Sequence, residues 1–297
     1  MRKILGLFLC LLLASCATEE AQPRVDRIVA VGGDVTEIVY ALGAGDRVVA
    51  TDSTSVYPAE AAQTEKVGYV RRLSAEGVLA TNPELILISG AAGPEEALEQ
   101  VRAVGIDIVE MPTDYSYEGI LQKVRMIAEV VGEVEAGKEL VAKIEADWAE
   151  AEAEIAKFEA SPRALFFSTL RDGVPSAAGA DTAANGVIEL LGGENLFASQ
   201  SGYTSISTEA AVAANPDMIL VMTHDAGENG GLEGMVSNPA IALTKAVTDQ
   251  RVFLVDSIRI MQFGPRTPEA IAQLAKAINE GRQAFEVPVN EPDDSEA

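Results

Sequence analysis

The sequence predicts an α/β protein of two Rossmann-like lobes joined by a single long α-helix. Three observations predict it. The string Leu73–Ile88 aligns with Ile206–Val221 at a constant offset of 133 with seven of sixteen positions identical, so the chain carries an internal repeat. Short apolar runs alternate with amphipathic stretches in both halves, the pattern of strands linked by crossover helices. Between the halves, Val134 to Ala160 is dense in Ala, Glu and Lys, lacks Gly after Gly137, and spaces Ile144, Trp148, Ile155 and Phe158 at helical intervals.

The elements follow in chain order. Met1-Arg2-Lys3 is a basic start, and Ile4 to Leu13 is an apolar run too short to span a bilayer, as in a signal peptide. Leu13-Ala14-Ser15-Cys16 has the form of a lipobox, so residues 1–16 read as a lipoprotein signal with Cys16 as the lipidated terminus. Ala17 to Pro23 is a polar tether. The first lobe spans 24–132, beginning with a strand at Arg27–Val31 and a helix that ends at Leu42-Gly-Ala-Gly-Asp46. Each repeat copy holds Ser at an N-cap, an amphipathic helix, an Asn-Pro stop and a buried apolar strand. A helix over 134–160 reads as a rigid strut of about 38 Å at 1.5 Å per residue. The second lobe spans 162–285, opening with a strand at Ala164–Ser168. Both sheets are expected to be parallel and covered on both faces. Residues 286–297 hold five acids and no bases and read as a disordered acidic tail.

Composition narrows the function. The 297 residues include 22 basic and 46 acidic side chains, a formal net charge of −24, which opposes nucleic-acid binding and a body lying on anionic lipid. Only His224, Cys10 and Cys16 represent their residue types, which excludes zinc fingers, disulfide scaffolds and metal-cluster enzymes that need several thiolates. No complete Gly-x-Gly-x-x-Gly fingerprint of a dinucleotide enzyme is present.

Three strings carry a family resemblance: the run from Arg27 to Pro58 with DSTSVYP at its end, GYVRRLSAEG from Gly68 to Gly77, and FGPRTPEA from Phe263 to Ala270. Over Arg24 to Gln283 the chain resembles the helix-linked substrate-binding proteins of bacterial ABC importers, most specifically the HmuT-like haem receptors. The resemblance implies a non-enzymatic, monomeric, lipid-anchored protein of the periplasm or cell envelope. It would capture haem between its lobes and deliver it to a permease and its ATPase. Cobalamin or a ferric siderophore is the alternative cargo within the same class.

The resemblance implies Tyr69 as the axial ligand of haem iron, and the chemistry agrees, since ferric iron is hard and a phenolate is a hard anionic donor. Read from the residues alone, Tyr69 is first a rim aromatic at a lobe mouth and only second a metal ligand. Arg71 and Arg72 supply positive potential or bind propionates in forked hydrogen bonds, unless they are solvated surface charge. His224 follows a strand of the second lobe, where ligands of open α/β sheets gather, at a position the resemblance gives to arginine. Three roles stay open for it: partner of the ligand tyrosine, second axial ligand, or spectator. Ser53, Thr54, Ser55 and Arg266 are further candidates for propionate or cleft contacts, with turn capping and plain surface as the competing readings. Glu76 and Glu209 occupy equivalent first turns of the two repeat helices. Acids are favoured there by the helix dipole, and the resemblance implies that they also dock on the permease.

Overall fold

The computed structural model describes residues 24–170 and 174–286. Cys16, the signal segment, and all of the acidic tail except Glu286 lie outside them.

The first lobe holds β1 (Ile28–Val31), β2 (Val48–Thr51), β3 (Glu65–Lys66), β4 (Gly68–Tyr69), β5 (Arg72–Leu73), β6 (Leu85–Ile88) and β7 (Asp107–Glu110). Five of these form a wholly parallel sheet in the order β3-β2-β1-β6-β7. β4 and β5 form a separate antiparallel hairpin. Ile28 and Ala30 of β1 face one core while Val29 and Val31 face another, so the strand is apolar throughout because both of its faces are covered.

The second lobe holds β8 (Arg163–Leu170), β9 (Val174–Ala178), β10 (Glu194–Asn195), β11 (Tyr203–Ser205), β12 (Met218–Met222) and β13 (Val252–Val255), ordered β11-β9-β8-β12-β13, with β10 also pairing β8. The expected all-parallel sheet is not what forms here. β9 runs antiparallel to β8, and β11 antiparallel to β9. Only three residues separate β8 from β9, whereas a parallel return needs a crossover of a dozen or more.

The repeat is visible as the helices Ala75–Ala80 and Thr208–Ala214, each feeding a central strand, β6 or β12. Ser74 and Ser207 cap them, accepting bonds from the amides of Gly77 and Ala210. The intervening helix runs Val134–Ile155, about 33 Å at 1.5 Å per residue. It is no bare strut. Ile144 is fully buried, Trp148 stacks on Tyr117 at 4.9 Å, and Asn279 of the C-terminal helix (Thr267–Glu280) donates to the Glu154 carbonyl at 2.9 Å. One apolar core therefore runs from the first sheet through these helices into the second. Among the described residues, no helix is long and apolar enough to cross a membrane.

Candidate functional site

The carboxyl ends of the central strands of both sheets open onto one cleft of roughly 830 Å³. That is where ligands of open α/β sheets bind, and the volume falls within the range of small-molecule sites. Gly32 and Gly33 follow β1, Ser89 follows β6, Met222 ends β12 and Ser257 follows β13, and all of them line this space.

The lobes meet at the cleft floor. Lys123, from the helix Tyr117–Val131, donates to Asp34 at 2.7 Å and to the Phe263 carbonyl at 2.8 Å, tying the two lobes together through a buried cation. Arg266 of the second lobe pairs with Glu37 of the first at 2.8 Å and lies 3.5 Å over the Tyr57 ring. Gln262 donates to the Thr54 carbonyl at 3.2 Å. Gln262 packs on Gly33, where a Cβ would push the amide end of that side chain aside.

On the first-lobe wall, the β4–β5 hairpin presents Tyr69 and Arg71 to the cleft. Tyr69 keeps 40% of its surface open, and the Arg72 guanidinium sits 5.7 Å from its ring centroid. The wall is cationic, and its phenol is accessible to a ligand.

The neighbouring candidates are placed differently. Asp52, fully buried, organises the Ser53–Ser55 turn: it accepts from the amides of Gly32 and Thr54 at 2.8 Å, from Thr54 Oγ1 at 2.6 Å and from Ser55 Oγ at 2.7 Å. Ser55 is therefore sealed inside this network, and Ser53, though exposed, is outside the cleft lining. Thr54 alone of the three lines the cleft, with its hydroxyl committed to Asp52. Arg266 is a seam residue, as described above. His224 turns to solvent, with 70% of its side chain exposed and Nε2 3.2 Å from Glu228. One residue further along the helix Thr223–Glu228, Asp225 takes the cleft-facing place instead.

The second-lobe wall carries two residues that the sequence reading missed. Tyr203 lines the cleft with 38% of its surface open, yet burial of its phenol and the nearby Asp225 carboxylate push its pKa up to about 12, against a smaller lowering by Arg71. Asp225 is buried and accepts from Ser168 Oγ at 2.6 Å. A signal for Tyr203 existed: extending the repeat upstream places it opposite Val70, one residue from Tyr69. Glu76 and Glu209 are exposed on the first turns of their helices. The Glu209 carboxyl is held below its ordinary value by its own backbone amide and the Ser207 hydroxyl.

Residues 28–258 match the family model described as periplasmic binding protein. The chain belongs to this family. As a periplasmic binding protein it is not an enzyme, and its role is that of a substrate-binding component of an ABC importer. Among solved structures it is similar to the periplasmic haem-binding protein RhuT from Roseiflexus sp. RS-1 in apo form, at 35% identity and a TM-score of 0.79 over 88% of this chain and 100% of that one. It is similar also to the periplasmic haem-binding protein BhuT in complex with two haems, at 32% identity and a TM-score of 0.81 over 86% and 98% of the two chains. Among curated proteins it is 27% identical to the vitamin B12-binding protein of Vibrio parahaemolyticus, over 86% of this chain and 90% of that one. The resemblance read from Gly68–Gly77 and its companion strings is to this same family.

Proposed function

We propose that this periplasmic binding protein captures ferric haem in the cleft between its lobes and hands it to a haem importer. The observation that carries the reading is Tyr69, an open phenol on the cleft wall with Arg71 beside it and Arg72 stacked on its ring. A phenolate is a matched donor for ferric iron, both being hard in the Lewis sense. Arg71 is the cleft residue suited to a propionate, by a forked charge-assisted bond. The likeness to RhuT and BhuT supports haem. The likeness to a vitamin B12-binding protein supports a corrinoid as the second reading.

The remaining parts of the proposal rest on the sequence. Cys16 is the lipid attachment point that tethers a monomeric protein to the envelope. Glu76 and Glu209, one exposed acid per lobe, dock on the permease subunits above their ATPase. Titrating hemin into the purified protein tests the cargo: a Soret band that saturates at a fixed stoichiometry and resists excess cyanocobalamin is expected. Displacement of hemin by cyanocobalamin would favour the corrinoid.

A further inference from the structure

A Tyr69 phenolate on ferric iron cancels the one positive charge of the porphyrin centre, so the charge left on the ligand lies at its two propionates. The cleft must then recognise carboxylates, and Arg71 is one donor for them. The opposite wall holds a second. Tyr203 is fixed by its backbone in β11, opposite Ala178 of β9, and the preceding Gly202 amide bonds to the Ala180 carbonyl at 2.9 Å. Its side chain lines the cleft with 38% of its surface open. Arg71 is near enough to act on the phenol electrostatically, yet the hydroxyl makes no hydrogen bond among the described residues. Burial, followed by Asp225, pushes its pKa up to about 12, so at neutral pH the group is an O–H donor. A hydroxyl in a poorly solvated wall without a partner is costly, and an acceptor arriving with the ligand removes that cost. Asp225 itself accepts from Ser168 Oγ at 2.6 Å, and burial raises its pKa, which lessens its repulsion of an incoming carboxylate.

We propose that Tyr203 is a specificity-determining residue: its hydroxyl and the Arg71 guanidinium hold one propionate from opposite walls of the cleft, selecting a tetrapyrrole with free carboxylates. This rests on the haem reading above. A carboxylate has two oxygens and accepts from both donors at once. An ester keeps the oxygens and loses the charge, and the corrin side chains of cyanocobalamin are amides. A hydrogen bond to a charged acceptor contributes more than one to a neutral acceptor, so loss of the Tyr203 hydroxyl falls hardest on the free acid. Arg71 belongs to the first lobe and Tyr203 to the second, so the ligand edge bridges the lobes while Tyr69 holds the metal.

The test titrates hemin and hemin dimethyl ester into the wild type, Tyr203→Phe, Arg71→Gln and the double variant. Phenylalanine keeps the ring and removes only the hydroxyl. Tyr203→Phe is expected to lose about tenfold in hemin affinity and no more than about threefold for the diester, with the phenolate-to-iron band kept. In the Arg71→Gln background the tenfold loss should shrink, because two donors on one carboxylate are coupled. Equal losses for hemin and the diester would mean that Tyr203 only packs on the macrocycle, and would overturn the proposal. No loss with either ligand would overturn it too, as would independent losses in the double variant, which put the two donors on different groups. Failure of the haem reading looks different: the wild type itself gives no saturating Soret band with hemin, and both ideas fall together.

Discussion

The two lobes each carry one copy of the repeat, yet their cleft walls have opposite characters. The first lobe offers Tyr69 with Arg71 and Arg72 beside it. The second offers Tyr203, nearly equivalent in the repeat and similarly open, but set beside the buried carboxylate of Asp225. Tyr69 sits in the isolated β4–β5 hairpin, and Tyr203 in β11 at the edge of a mixed sheet. The same residue type therefore meets a cationic environment on one side and an anionic one on the other. The difference teaches that duplication fixes where the walls stand, while the residues around each phenol decide the charge it meets.

The largest effect tests what the lobes share. Reversing either Glu76→Lys or Glu209→Lys should reduce transport to background, while hemin affinity of the isolated protein stays unchanged. Both acids are exposed, and neither lines the cleft. Transport lost in only one of the two variants would break the proposed symmetry of docking. The next effect tests what they do not share. Tyr69→Phe should weaken hemin binding by about 100-fold and abolish the phenolate-to-iron charge-transfer band, while Tyr203→Phe should leave that band in place. Visible spectra of the two variants read the contrast directly, and loss of the band in Tyr203→Phe would reverse the assignment of the walls.

Much of this architecture was legible in the sequence because it is carried by local patterns. The Ser-capped helix, the Asn-Pro stop and the apolar strand recur from one lobe to the other, and the long helix declares itself by its lack of Pro and of any Gly after Gly137. What escaped was set by distance. Nothing local to β8 shows that its return partner runs antiparallel, except the brevity of the link to β9. Ser53–Ser55 looks like a row of free hydroxyls until the fold buries Asp52 beneath it. Arg266 looks like a cleft-edge cation until Glu37, 229 residues away, captures it. His224 drew notice as the single histidine, although the helix places Asp225 on the cleft wall instead.

The floor where the walls meet gives the third prediction. Lys123→Met leaves Asp34 buried without its cation and removes the donor to the Phe263 carbonyl, so urea unfolding should show a loss of about 3–5 kcal/mol. Lys143→Met, which breaks the pair with Asp147 on the linking helix, should cost less than about 1 kcal/mol because that lysine is exposed. Equal losses would mean that the seam adds nothing beyond ordinary surface pairing. A smaller effect sharpens the first-lobe wall. Arg72→Gln removes a cation from an exposed ring face, so hemin affinity should fall by only a few fold, corresponding to about 0.5–1 kcal/mol.

The smallest effect appears only in alkali and isolates the second lobe. The Tyr203 phenol is pushed up from 10.0 to about 12, chiefly by burial and then by Asp225. Between those values the native chain still holds a proton that the unfolded chain has released. Raising the pH then favours the unfolded form, so this phenol makes stability fall through that window and has no effect below it. Because part of the ring is open to the cleft, solvent screening keeps the effect modest. Urea midpoints measured across this range should fall more steeply for the wild type than for Tyr203→Phe, and the two curves should run parallel at neutral pH. Asp225→Asn should flatten the wild-type slope only partly, since burial would remain. Parallel curves throughout would show that Tyr203 titrates as a solvated phenol, and the contrast between the two walls would then rest on Tyr69 and its arginines alone.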